Sequence, residues 1–173
     1  MIKRELIVFT IIFLLFVSCK KEDSSTQPPD QIPQITKSSK RGLAYDLKNS
    51  TDLDTLKGGV SWWYNWYHST TAPANYYSTY DIEFIPMLWG GNTSNNDMTI
   101  VKNFILTHSE IKYLLVLNEP NLVDQANRTP VQAAADWVKY EQVVSDLAAQ
   151  QRTIELVGPA MNWGTMTDYW DPV

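Results

Sequence analysis

The chain contains one cysteine and two histidines among 173 residues. A single cysteine cannot form a disulfide bond within the chain, so a disulfide-stabilised scaffold is excluded. His68 and His108 lie far apart in the sequence and have no cysteine nearby, which argues against a zinc site. The sequence therefore predicts a protein without a metal ion or other cofactor.

Basic runs and phosphate-binding loops are also missing. The formal net charge is −5, and no cluster of lysine and arginine follows residue 41, so nucleic acid is not an expected partner. No predicted strand is followed by a G-x-G-x-x-G pattern or by a Gly-Lys-Ser/Thr loop. This argues against the doubly wound sheet, the competing α/β architecture.

The N-terminal residues have the pattern of an export signal. A basic start precedes residues 6–17, an apolar stretch too short to span a bilayer comfortably. The Phe-Val-Ser-Cys sequence that ends at Cys19 resembles a bacterial lipobox. Residues 1–18 are therefore predicted to be a lipoprotein signal peptide and Cys19 the lipidated residue, with an ordinary cleaved signal as the alternative. We expect an exported protein that is lipid-anchored to a bacterial membrane or cell surface.

Residues 19–39 are predicted to form a flexible tether. They are rich in Ser, Thr, Gln, Pro and Lys and contain few apolar side chains, so they cannot bury a core. The folded domain is expected in residues 40–173. Tryptophan and tyrosine are abundant, with seven and nine residues, and exposed aromatic rings suit stacking on sugars, although most buried aromatic side chains fill a core.

Strand and helix patterns alternate through this domain. The predicted strands are residues 41–45, 60–67, 82–89, 113–117 and 154–162. The predicted helices are residues 49–56, residues 97–106 and a segment with Thr129 as N-cap, Pro130 in the first turn and Gln132 completing a capping box. A loop is expected between the second and third strands, and Pro86 is expected to bulge or end the third strand. This alternation is typical of parallel strands joined by crossover helices.

The most informative motif is Asn118-Glu119-Pro120-Asn121. It follows four consecutive large aliphatic residues, which indicate a strand covered on both faces, as in a parallel sheet. Pro120 ends the strand because it has no N–H to donate. Glu119 is thus predicted at the carboxyl end of a buried strand, where barrel enzymes carry their catalytic groups. Taken alone, the motif fits a solvated strand cap equally well.

Four segments occur in the order found in a known family. They read KRGLAY from residue 40, SWWYNW from residue 61, EFIPMLWG from residue 83 and LNEPN from residue 117. Together they resemble the glycosyl hydrolase catalytic core of glycoside hydrolase family 128 (GH128), a domain that also occurs in the fungal alkali-sensitive linkage protein. The resemblance covers residues 40 to about 163. It implies a (β/α)₈ TIM barrel that acts on β-1,3-glucan by the retaining mechanism.

The resemblance also implies roles for individual residues. Glu119 would be the general acid/base, and Asn118 would bind the sugar 2-hydroxyl beside the scissile bond. Candidates for sugar contacts near strand ends are Trp63, Trp66, Trp89, Asn65 and Asp46. For the tryptophans, filling of the barrel interior is the alternative. Glu83 begins its strand and is therefore not expected to be catalytic.

The predicted domain is shorter than a complete barrel, which typically needs about 250 residues. The family's nucleophilic carboxylate belongs at the end of a seventh strand, a position that Asp168 and Asp171 do not match. The sequence thus predicts a TIM-barrel type of α/β fold truncated after about five strands. The expected protein is a surface-anchored glycoside hydrolase-like protein that is inactive alone. A non-catalytic glucan-binding lipoprotein and a degenerate fragment are the alternatives.

Overall fold

The computed structural model describes residues 36–163. The chain divides into two units, Met1–Gln34 and Ile35–Val173, and the described residues belong to the second. The predicted signal peptide, Cys19, most of the predicted tether, Asp168 and Asp171 lie outside the described residues. Within residues 36–163, no helix has the length and apolar character needed to cross a membrane.

Short strands and helices alternate through the described residues, as the sequence predicts. The strands are β1 Gly42–Ala44, β2 Trp62–Tyr64, β3 Glu83–Phe84, β4 Met87–Leu88, β5 Tyr113–Val116 and β6 Glu155–Val157. The helices are α1 Ser50–Leu56, α2 Tyr76–Tyr80, α3 Asn95–Thr107 and α4 Pro130–Ala148. The predicted α/β class is confirmed.

Among residues 36–163 all the strand pairs are parallel, and they form two three-stranded sheets with the orders β1-β2-β3 and β4-β5-β6. Strands β3 and β4 are the two halves of the predicted third strand. The Ile85 N–H donates to the Trp63 carbonyl at 2.9 Å, whereas the Pro86 carbonyl accepts from the Leu115 N–H at 3.0 Å. The first half therefore pairs with β2 and the second with β5. The predicted interruption at Pro86 is confirmed.

Two clusters of buried side chains pack between the strands and the helices. The smaller cluster contains Leu47, Leu53, Trp63, Tyr76, Ile82 and Phe84. The larger cluster joins β5 to α3 and α4, with Leu114 and Val116 of β5 completely or almost completely buried. The other side of β5 is less covered, since Leu115 is half-buried and Tyr113 is exposed. The prediction that both faces of this strand are buried is wrong for the described residues.

Trp63 belongs to the smaller cluster and not to a sugar subsite. Its side chain is 0% exposed and packs edge-on against Tyr76, with ring centroids 4.9 Å apart, and against Phe84 at 5.2 Å. Successive side chains of a strand point to opposite faces, so Trp63 faces the helices while its neighbours Trp62 and Tyr64 face away from them. The prediction that Trp63 contacts a sugar is wrong.

Helix α2 occupies part of the link that the sequence predicts as a loop. Its five residues are all tyrosine, serine or threonine, which are weak helix formers, so the sequence gives no helix signal. Tyr76 is nonetheless buried against Trp63, and its hydroxyl donates to Glu110 at 2.6 Å. Tertiary packing therefore stabilises a helix that intrinsic propensity does not favour.

The hydrogen bonds of the domain begin before the predicted tether boundary at residue 39. Lys37 forms an ion pair with Asp81, with Nζ 2.9 Å from Oδ2. The Ser38 carbonyl accepts from the Ser61 hydroxyl at 2.9 Å, and the Ser39 carbonyl accepts from the Trp62 indole at 3.1 Å. The predicted boundary is thus a few residues too late. Composition could not show this, because two of these contacts use backbone carbonyls.

The two long helices begin with the same kind of cap. Thr129 and Gln132 form the capping box predicted for α4, and Ser94 and Asp97 form an equivalent box that starts α3 two residues before its predicted start. The sequence predicts one apolar stripe on α4, because apolar residues recur there at helical spacing: Ala133, Trp137, Tyr140, Val144 and Leu147. Of these, Ala133, Tyr140 and Leu147 are buried. Asp136 is buried on the same helix, which the pattern of apolar residues does not predict.

Candidate active site

Glu119 lies just beyond the carboxyl end of β5, in the left-handed region of backbone conformation with φ of 44°. Its N–H donates to the Ala160 carbonyl at 2.7 Å, and its Oε1 accepts from the Asn162 side-chain amide at 3.1 Å. Non-glycine residues adopt this conformation at a cost of about 1–3 kcal/mol and are enriched at functional sites. Residues that follow β6 therefore hold both the backbone and the carboxylate of Glu119.

Asn118 connects the ends of three strands. It forms a parallel bridge with Ala160, which extends the pairing of β5 and β6, and its N–H donates to the Trp89 carbonyl at 2.8 Å. Its side-chain amide donates to Gln125 Oε1 at 3.1 Å. Asn118 thus links the end of β5 to the residue after β4 and to the loop that follows Glu119.

A cleft of about 1040 Å³ opens at the carboxyl ends of β2 and β4. Its walls come from the loop after β2, from residues 89–93 and from residues 123–128 of the loop that follows Glu119. Glu119 and Asn118 do not line the cleft themselves. They adjoin it through Trp89 and Gln125, which line the cleft and are the hydrogen-bonding neighbours of Asn118. This volume is close to the upper end of the range of small-molecule sites.

Two tryptophan rings are partly exposed along this cleft. The side chain of Trp66 is 40% exposed and that of Trp89 is 37% exposed. Trp66 has φ of 63° and packs edge-on against Tyr64, with ring centroids 5.2 Å apart. A ring that is fixed and only partly covered offers an apolar face to a ligand at little cost in side-chain entropy.

Asn65 and Asp46 contact each other at the start of the loop that carries Trp66. Asn65 is 4% exposed, and its amide donates to Asp46 Oδ1 at 3.3 Å and to the Ser69 carbonyl at 3.1 Å. Its Oδ1 accepts from the Tyr67 N–H at 3.0 Å. Asn65 therefore fixes this loop. Contacts of Asn65 and Asp46 with a sugar stay a prediction.

The sequence gives no indication of three polar residues near the site. Asn162 donates a hydrogen bond to Glu119. Its place at the end of a predicted strand is the only feature of the sequence that could have identified it. His68 and Asp97 both line the cleft, with Nε2 3.6 Å from Oδ1. Hydrogen bonds from Ser94, helped by His68, hold the pKa of Asp97 below its usual value. This pair joins a loop to the start of α3, a contact that only the fold creates.

The sequence model of the glycosyl hydrolase catalytic core family matches residues 42–171, which is most of the chain. The chain belongs to this family. A search among curated proteins found no match.

Solved structures of GH128 enzymes resemble this chain in fold and in sequence. The chain is 48% identical to a GH128 subgroup II endo-β-1,3-glucanase from Pseudomonas viridiflava, with a TM-score of 0.67, covering 79% of this chain and 51% of that chain. For the subgroup II endo-β-1,3-glucanase from Sorangium cellulosum, the identity is 38%, the TM-score 0.60 and the coverage 72% and 47%. A subgroup I enzyme from Amycolatopsis mediterranei in complex with laminaritriose is 25% identical, with a TM-score of 0.53 and coverage of 77% and 48%. The chain has a GH128-like catalytic core and spans about half the length of these structures.

Proposed function

We propose that this chain carries the acid/base side of a β-1,3-glucan hydrolase site. The observation that carries the proposal is the placement of Glu119 at the carboxyl end of β5, held by Asn162 and adjoining a cleft with two exposed tryptophan rings. The similarity to endo-β-1,3-glucanases supports glucan as the polysaccharide that the cleft binds.

Trp66 and Trp89 would supply the apolar platforms on which sugar rings stack. Pyranose rings have faces of C–H groups that pack on aromatic faces, while their hydroxyl groups need polar partners. Asn118, Asn65 and Asp46 are the proposed partners for those hydroxyl groups. In this proposal Asn118 binds the 2-hydroxyl group of the sugar beside the scissile bond, and Glu119 protonates the glycosidic oxygen of that bond.

The retaining mechanism needs two carboxyl groups about 5–5.5 Å apart, one as nucleophile and one as acid and then base. Glu119 fits the second role in this proposal, within a (β/α)₈ barrel whose nucleophile comes from a later strand. Without the nucleophile the covalent route is closed, and general acid catalysis alone contributes roughly 10²–10⁴-fold. We therefore propose that the 173 residues bind glucan and hydrolyse it little or not at all.

The Trp89→Ala variant tests whether glucan binds in the cleft or elsewhere on the surface. In calorimetric titration of the 173-residue chain with laminarihexaose, we expect Trp89→Ala to raise Kd about tenfold, because a stacking platform is lost. Glu119→Gln keeps the shape of the site and should leave Kd nearly unchanged. Neither Glu119→Gln nor the unchanged chain should release reducing sugar from laminarin.

Tyr77→Ala is the matched control, because Tyr77 is a similarly exposed aromatic residue on α2 and does not line the cleft. Its Kd should equal that of the unchanged chain. An absence of laminarihexaose binding, or equal weakening by Trp89→Ala and Tyr77→Ala, would contradict the proposed function. Laminarin hydrolysis that depends on Glu119 would contradict only the inactivity of the 173 residues.

We also propose that Cys19 carries the lipid that anchors the protein to a bacterial membrane or cell surface. The lipobox-like sequence that ends at Cys19 supports this proposal. Two acyl chains anchor a protein stably, whereas one chain binds a membrane only marginally. In a bacterial host, Cys19→Ser should move the protein from the membrane fraction to the soluble fraction, and Ser24→Ala should not. Membrane association of Cys19→Ser equal to that of the unchanged protein would contradict the proposed anchor.

A further inference from the structure

Asp136 is an acidic residue with only 4% of its surface exposed, and its carboxylate contacts two cations. Oδ2 lies 2.7 Å from Arg128 Nε, and Oδ1 lies 2.8 Å from Lys139 Nζ. Burial of a carboxylate costs several kcal/mol unless cations and hydrogen bonds offset it. The position lies on the covered side of α4, where an apolar residue would pack without that cost. Packing of the helix alone therefore does not account for a charged residue at position 136.

The two cations connect Asp136 to two of the three loops that line the cleft. Arg128 ends the loop that follows Glu119 and lines the cleft. Its backbone N–H donates to the Pro120 carbonyl at 2.7 Å. Lys139 also donates from Nζ to the Gly91 carbonyl at 3.3 Å, in the loop that follows Trp89. One carboxylate thus joins the loop that begins at Glu119 to the loop that begins at Trp89.

The contact between these elements is tight at Gly91. A Cβ atom at this position would overlap Asp136 Oδ2 and Arg128 Nε, so any larger residue would require the ion pair to shift. The Tyr140 hydroxyl adds a further bond to the same loop and donates to the Gly90 carbonyl at 3.2 Å. The spacing of the two loops therefore depends on the ion pair as well as on apolar packing.

We infer that Asp136 is a positioning residue that fixes the loop after Glu119 and the loop after Trp89 at the spacing required for glucan. The inference rests on the proposed function of the cleft. Asp136 does not contact the ligand itself, since it does not line the cleft. It acts through Arg128 and Lys139, whose charges would lie unpaired against the loops if the carboxylate were neutral.

The test compares Asp136→Asn with Asp146→Asn in the 173-residue chain. Asp146 also forms an ion pair, with Oδ2 2.6 Å from Lys102 Nζ, but this pair joins α3 to α4 and neither residue lines the cleft. We expect Asp136→Asn to raise Kd for laminarihexaose about tenfold. Without ligand, its amide hydrogen exchange should be faster in residues 90–93 and 119–128 than in the unchanged chain, with the strands unaffected. Asp146→Asn should change neither measurement.

The exchange measurement needs no ligand, so it separates this inference from the proposed function. If the unchanged chain does not bind laminarihexaose, the proposed function fails, and exchange in the two loops still decides whether Asp136 positions them. Exchange at the normal rate in both loops of Asp136→Asn, or equal acceleration throughout the domain, would overturn the inference.

Lys139→Met provides the test if Asp136→Asn does not fold. The Lys139 side chain is 44% exposed, so its replacement leaves the pair of Arg128 and the buried Asp136 in place. This variant removes the Lys139 ion pair with Asp136 together with the link to Gly91, and keeps the contact of Asp136 with Arg128. We expect faster exchange confined to residues 90–93 and a rise in Kd of about threefold. Unchanged exchange in residues 90–93 would overturn the role assigned to the Lys139 contact and with it the two-loop arrangement.

Discussion

Replacement of Trp63 by alanine is expected to lower the free energy of unfolding by about 3–5 kcal/mol, a large share of the stability of a typical domain. The indole is completely buried and packs against Tyr76 and Phe84. Its removal would leave a large cavity between β2, β3 and α2 that the strands cannot fill. Urea denaturation monitored by circular dichroism measures the change.

Trp89→Ala is the matched control for this prediction. Trp89 is partly exposed at the cleft, so its replacement should change the free energy of unfolding much less than Trp63→Ala does. Trp63→Phe should be milder than Trp63→Ala, because phenylalanine keeps an aromatic ring and removes an indole N–H that has no hydrogen-bond partner among residues 36–163. A Trp63→Ala protein that is as stable as Trp89→Ala would restore Trp63 as a candidate sugar contact.

Gly158→Ala is expected to lower the free energy of unfolding by about 3 kcal/mol or more. Gly158 has φ of 142°, a conformation that L side chains rarely adopt. A Cβ at this position would also overlap the backbone carbonyl oxygen of Val116 in β5, and a backbone atom cannot rotate away as a side chain can. The substitution would push the end of β6 away from β5, together with Ala160 and Asn162, which hold Glu119.

Gly59→Ala is the matched control, since a Cβ at Gly59 would have no atom within 4 Å. Its free energy of unfolding should stay within about 0.5 kcal/mol of that of the unchanged protein. Urea denaturation of both variants gives the comparison. Equal stability of Gly158→Ala and Gly59→Ala would show that β6 does not lie against β5 as described.

Most of the α/β alternation could be predicted because it depends on local patterns. The capping box at Thr129 and Gln132, the apolar stripe of α4 and the proline that interrupts the third strand each act within a few residues. Helix α2 could not be predicted, because its residues favour no helix and the buried Tyr76 holds it in place. Whether Trp63 is buried depends on which side of β2 the helices cover, and the local sequence does not specify that side.

Some residues of the candidate site could likewise be predicted from local sequence, and others could not. Glu119 and Asn118 could be placed from the sequence because they follow directly on a strongly apolar strand, and strand ends are where α/β proteins bind ligands. The contact of Glu119 with Asn162 and that of Lys139 with Gly91 join segments that meet only in the folded chain. The contacts of Asn118 with Gln125 and of Asp136 with Arg128 depend on the path of one loop, which local patterns do not specify. An isolated aspartate in a helix gives no sign that two loops depend on it.

A crystal structure of the 173-residue chain with bound laminarihexaose shows whether glucan occupies the cleft beside Glu119. We expect sugar rings stacked on Trp66 and Trp89, with a glycosidic oxygen within hydrogen-bonding distance of the Glu119 carboxyl group. Laminarihexaose bound at another surface, with the cleft empty at a saturating concentration, would exclude the cleft as the glucan site.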